Sequence, residues 1–174
     1  MKPDKLIRIL NNKEELDSFL EDLMKKKILF MQEPNKNEIR GHLAKSEHNL
    51  SFAGTISSEY NDWLLVAYYY SLYHAALSLL MAKGFVSKNH DATMCVIIKY
   101  YYEKPFSKQD FELLNEFFLD ADDLLFYARA RNKREEASYS TKLRFDKQDI
   151  GEVKVKTMLL IEKMRRIIQK EMQK

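Results

Sequence analysis

The chain has 174 residues, a length that suits one domain and lets it bury a core without metal or disulfide staples. Apolar residues make up 45% of it and charged residues 32%, which excludes both a disordered chain and a membrane-embedded one. Gly (4) and Pro (3) are too scarce for the many turns of an all-β fold, and the net charge of +3 is mildly basic, compatible with a nucleic-acid partner.

At the N-terminus the apolar run within Met1–Leu16 is too short for the h-region of a signal peptide. Residues Lys13–Lys27 read as a helix, with Leu16, Phe19, Leu20 and Leu23 at three- and four-residue steps and Asn12 as its cap. Pro34 and its neighbours make Gln32–Lys36 a loop. It divides an N-terminal helical extension, residues 1–34, from a main bundle, residues 35–174.

A second helix is expected over Asn37–Ser57. A third, Tyr60–Lys83, is apolar nearly all round and ends at Gly84, a left-handed terminator. Its apolar stretch Trp63–Met81 is broken by Ser71 and His74, which marks a core helix and not a membrane span. The next helix, Asn89–Tyr102, contains the lone Cys95 in the role of a small buried hydrophobe, and Pro105 closes it. One cysteine and no leader point to a reducing, cytoplasmic setting.

Ser107, with Asp110 three residues on, caps a long helix that continues to about Glu136. Thr141–Lys147 is a loop, and Lys147–Met172 is the last helix, with basic residues from Lys154 to Lys174 along a solvated face. Together these elements predict an all-α fold, an up-and-down antiparallel bundle of about five to six helices.

Motifs for dinucleotides, for P-loop nucleotides and for zinc are absent. His42 and His48 are six apart on one helix, a poor spacing for sharing a metal, so neither metal nor cofactor is expected. His74, in a Tyr-rich core helix, reads as a hydrogen-bonded structural histidine. His90 sits in a first helical turn beside Lys88 and Asn89, where it either meets phosphate or is solvated.

The candidate site is the stretch Arg129–Tyr139. Tyr127, Arg131 and Arg134 fall at i, i+4 and i+7 and share one helix face, while Arg129 and Lys133 share another. Arginine presents a planar fork to phosphate or carboxylate, and a flanking tyrosine can stack on a base. The alternative is that Arg131 and Arg134 pair with acids of a neighbouring helix or with Asp122 and Asp123.

The run His42–Tyr139 resembles the HEPN domain and, within it, the bacterial and archaeal branch known as UPF0332. The resemblance rests on HLAKSEHNLSFAGTISSEY followed by the helix NDWLLVAYYYSLYHAALSLLMAKGF, on the turn SKNHDATMCVI, and on the ending RNKREEASYS. It implies a four- or five-helix up-and-down core, often dimeric. It also implies one of three activities: metal-independent RNA cleavage by an Arg-x(4–6)-His motif, pairing with a minimal nucleotidyltransferase in a toxin–antitoxin module, or binding alone.

This chain departs from the motif. The position after Arg134 that should carry His holds Tyr139, no His follows His90, and Ser138 stands where the branch usually has Asp. A tyrosine titrating near pH 10 is a poor substitute for imidazole in moving protons. The expectation is a non-catalytic module that binds nucleotide or RNA through Arg131 and Arg134, with Tyr127, Tyr139, His90 and Lys88 lining the site. A minimal nucleotidyltransferase or a second copy of the chain would be its partner. The alternatives are a metal-independent RNase using Arg134 with Tyr139 or His90, and a purely structural partner protein with salt-bridged arginines.

Overall fold

The computed structural model describes residues 3–102, 121–142 and 144–173. The expected Pro105 break, the Ser107 cap and the start of the long helix lie outside them. Among the described residues the elements are α1 (Pro3–Asn11), α2 (Lys13–Lys25), β1 (Leu29–Met31), α3 (Lys36–Ala53), α4 (Asn61–Ala82), β2 (Phe85–Ser87), α5 (His90–Tyr101), α6 (Ala121–Tyr139) and α7 (Lys147–Met172), with a single 3-10 turn at Ser58–Tyr60. The fold is an all-α helical bundle.

Its organising pair is α3 on α4. The Ser78 hydroxyl donates to the Ile39 carbonyl at 2.8 Å, His42 meets His74, and the Ser71 hydroxyl donates to the Ser46 carbonyl at 2.6 Å. The partners descend along α4 as they rise along α3, so the helices are antiparallel. Small residues at Ser71, Ala75 and Ser78, all fully buried, let the two backbones approach.

Ion pairs set the directions of the other helices. Asp123 with Lys163, and Lys133 with Asp149 at 2.9 Å, run α6 antiparallel to α7. Lys83 with Glu171 at 2.8 Å, together with Asn61 against Phe145, runs α7 parallel to α4. So α3, α4, α6 and α7 alternate in direction around α4, which packs against the other three and against α5. Ser58–Ala82 is long and apolar enough to cross a membrane, and 72% of its most apolar window is buried inside the bundle.

Three differences from the expected elements have simple causes. α3 ends at Ala53 and not at Ser57, because Gly54 and Thr55 close it with bonds back to Ser51 and Phe52. The stretch before Asn12 forms a helix of its own, burying Leu6, Ile9 and Leu10. An antiparallel strand pair, Leu29↔Ser87 to Met31↔Phe85, joins the N-terminal segment to the α4–α5 connection. Leu6, Ile9, Leu16, Leu20, Leu23 and Leu29 belong to the same apolar cluster as the buried faces of α4, α5 and α7. Cys95 is buried in that cluster too, and burial pushes its thiol up to about 12.

Candidate functional site

Three elements meet at one point of the bundle. α4 is apolar nearly all round, so its tyrosines differ only in what lies opposite them. Tyr69 is fully buried, Tyr73 half-buried, and Tyr70 exposed at the edge. α5 opens beside them. The Asn89 side chain caps it by accepting from the Ala92 N–H at 2.8 Å, which holds His90 and Asp91 in the first turn. α6 presents Tyr127, Arg131 and Arg134 along the shared face expected from their spacing.

Tyr69 is the hub. Its hydroxyl lies 2.5 Å from His90 Nδ1. The phenol is the more acidic of the two neutral groups and the imidazole nitrogen the better acceptor, so we assign Tyr69 as donor and His90 as the Nε2–H tautomer. Burial pushes the Tyr69 phenol far above its usual range, so it keeps its proton. The Tyr69 ring stacks on Tyr73 at 6.2 Å and lies 6.1 Å from the Tyr127 ring, and the Tyr73 ring is 4.2 Å from that of His90. Burial, then Arg131 and Arg134, lower the His90 imidazole to about 4, so it is neutral at pH 7.

The two arginines separate. Arg131 is bound by acids: Nη1 pairs with Asp91, and Nε with Glu135 at 3.1 Å. The alternative of salt-bridged arginines therefore holds for Arg131, although the partners are Asp91 and Glu135 and not Asp122 or Asp123. Burial works against its charge, and these two carboxylates more than restore it.

Arg134 is different. It is only 6% exposed, has no acidic partner among the described residues, and buries its Nε without a hydrogen bond. Its guanidinium lies 5.1 Å from the Tyr69 ring, 5.8 Å from Tyr70 and 5.9 Å from Tyr139, a cage of three aromatic faces. A second orphaned polar atom, the Tyr127 hydroxyl, is buried nearby with no hydrogen-bond partner. It interacts electrostatically with Tyr69 without forming a bond of good geometry.

Of the residues expected to line a site, Arg131, Arg134, Tyr127 and His90 converge on Tyr69, and Tyr139 joins them from the exposed end of α6. Tyr127 is buried behind the cluster and supports it. Lys88 lies elsewhere: its ammonium sits 4.6 Å over the Phe30 ring, and its N–H donates to the Ile28 carbonyl at 2.9 Å beside the strand pair. Sequence reasoning passed over Tyr69, Tyr73, Asp91 and Glu135. Glu135 four residues after Arg131 was a readable pairing signal. The roles of Tyr69 and Asp91 depend on which helices meet.

His74 is hydrogen-bonded, as a structural histidine should be, and its partner is His42. Among the described residues no group of three or more His, Cys, Asp or Glu side chains is placed to hold a metal ion. No protein-family model matches the chain and no curated protein matches it.

Proposed function

We propose that the chain is a HEPN-like binding module whose Arg134 cage takes the phosphate of a nucleotide or of RNA, without catalysing a reaction on it. The observation that carries this is the burial of Arg134 with its Nε unbonded and no acidic partner among the described residues. A buried guanidinium costs several kcal/mol unless an anion accompanies it. Among the described residues Arg131 has two carboxylates and Arg134 has none, and a ligand anion would fill that place. The rings of Tyr70 and Tyr139 stand at the open side, where a base can stack.

The non-catalytic part rests on His90. In the unloaded site a neutral imidazole lowered to about 4 is neither an effective base nor a proton donor near pH 7, and no second histidine among the described residues stands by to share the work. One observation favours the RNase alternative: His90 and Arg134 both contact Tyr69, so a cation and an imidazole lie against one side chain. That reading requires metal-independent cleavage in EDTA that disappears in Arg134→Ala. A minimal nucleotidyltransferase or a second copy of the chain remains the proposed partner, in a cytoplasmic setting.

Calorimetric titration with AMP and with a short oligouridylate tests the proposal. The unmodified protein is expected to bind, and both Arg134→Met and the Arg131→Ala/Arg134→Ala pair to bind at least about tenfold more weakly, the loss of one charge-assisted contact. Absence of binding by the unmodified protein would falsify it.

A further inference from the structure

His90 is enclosed by charge and hydroxyl groups from each element around it. Tyr69 and Tyr73 face it from α4, Arg131, Arg134 and Glu135 from α6, and Asp91 from its own helix. Asp91 and Glu135 are both engaged by Arg131. Arg134 is the guanidinium of this cluster with no carboxylate on it among the described residues, and its charge bears on the imidazole.

We infer that His90 takes up a proton from solvent when an anion seats on Arg134, so that ligand binding at this site is coupled to proton binding. The inference rests on the anion-binding reading above and specifies how that site responds to pH. Burial and then Arg131 do most to keep the imidazole neutral, and Arg134 adds to them; an anion beside Arg134 offsets that last repulsion and attracts the imidazolium. A nearby opposite charge favours the charged form of such a group and raises its midpoint.

The hydrogen bond of the neutral state is in place, and a partner for the protonated state lies beside it. With His90 neutral, the Tyr69 hydroxyl donates to Nδ1. With His90 protonated, Nδ1–H donates to the Tyr69 oxygen, and the Tyr69 proton must turn to another acceptor. We assign that role to the Tyr127 hydroxyl, which is buried, interacts with Tyr69 and makes no hydrogen bond of good geometry in the neutral state. Without it, protonating His90 would strand the Tyr69 hydroxyl in the interior, at the cost of an unmade buried hydrogen bond. The orphaned Tyr127 hydroxyl and the orphaned Arg134 Nε thus become the two vacancies that a loaded, protonated site fills. Tyr127 is a positioning residue in this scheme, because it acts through Tyr69.

The test uses the full chain and two probes whose charge does not change between about pH 4 and pH 8, sulfate and hexauridylate. The His90 ring resonances are followed by NMR through that range, free and loaded. Calorimetry at about pH 5.5 in buffers of different ionisation enthalpy counts the protons exchanged. A loaded protein is expected to show the His90 midpoint raised by about one unit or more. It is also expected to take up protons on binding and to bind more tightly at pH 5 than at pH 7. Tyr127→Phe should lower the loaded midpoint while leaving the probe bound, and His90→Gln should remove the buffer-dependent heat.

A probe that binds without moving the His90 midpoint and without buffer-dependent heat overturns the coupling and leaves the anion site standing. Failure of both probes to bind at millimolar concentration overturns the coupling and the anion reading together.

Discussion

His42 and His74 meet head to head, Nδ1 to Nδ1 at 3.0 Å, with their rings 22° from parallel and their centroids 5.2 Å apart. The nitrogens point at one another, so one imidazole donates an N–H to the other and the pair ties α3 to α4. Such a bond survives with at most one added proton, since two imidazoliums leave no acceptor.

This geometry and the burial of His90 predict acid sensitivity. Burial lowers His42, and burial followed by His42 and Lys45 lowers His74 to about 4, close to the value for His90. All three lie below the value of about 6.5 expected in the unfolded chain. The unfolded state therefore binds more protons between those limits, and stability falls as pH drops from about 6.5 toward 4. Thermal melts are expected to be flat from pH 8 to 7 and to fall steadily below 6.5, less steeply in His74→Gln. A melting temperature constant down to pH 4.5 would contradict this.

Arg131 and Arg134 should respond in opposite ways to truncation. Arg131→Ala strips the partly buried Asp91 of its guanidinium and is expected to cost about 1–2 kcal/mol. Arg134→Met replaces a buried cation that has no acidic partner among the described residues with an apolar chain of similar length, and is expected to hold or raise the melting temperature while weakening anion binding. Equal destabilisation by both changes would mean that Arg134 is there for stability.

Asn61 bridges the start of α4 to the chain entering α7. Its amide donates to the Phe145 carbonyl at 2.9 Å and its carbonyl accepts from the Phe145 N–H at 3.1 Å, both buried. Asn61→Leu leaves two backbone groups unpaired and is expected to cost about 2–3 kcal/mol by urea denaturation. Asn61→Asp keeps the acceptor and should cost less. Equal losses would show that only volume matters there.

Gly84 sits at φ 73°, and a Cβ there would come within 2.7 Å of the Gln32 carbonyl oxygen. Gly84→Ala is expected to destabilise by about 1–2 kcal/mol and to loosen amide protection at Gln32, whose N–H donates to the Gly84 carbonyl. Normal protection at Gln32 would argue against the strained turn.

How much of this could be read beforehand depended on range. α7 was legible over Lys147–Met172, and Asn12 as a cap, because periodicity and capping are local signals. The strands were not, since each is three residues long and its partner lies beyond two helices. The His42–His74 contact, likewise, belongs to the α3–α4 packing and to neither helix alone. The shared face of Arg131 and Arg134 was readable from spacing. Their different fates were not, because a three-residue step turns one toward Asp91 on α5 and the other toward the tyrosines of α4. Tyr69 stayed hidden for a related reason: an all-round apolar helix does not announce which side will receive α5 and α6.

The strand pair carries a consequence for assembly. β1 and β2 bracket α3 and α4, so their register is set only after those helices have folded back on each other. The α3–α4 hairpin closes a short loop, whereas pairing Leu29 with Ser87 closes one that spans it, at a higher entropic cost. Loop closure alone therefore predicts that the N-terminal helices dock after α3 and α4 have paired. Native-state hydrogen exchange reads the converse: amides of the strand pair are expected to lose protection before those of α4, carrying the leucines of α1 and α2 into solvent.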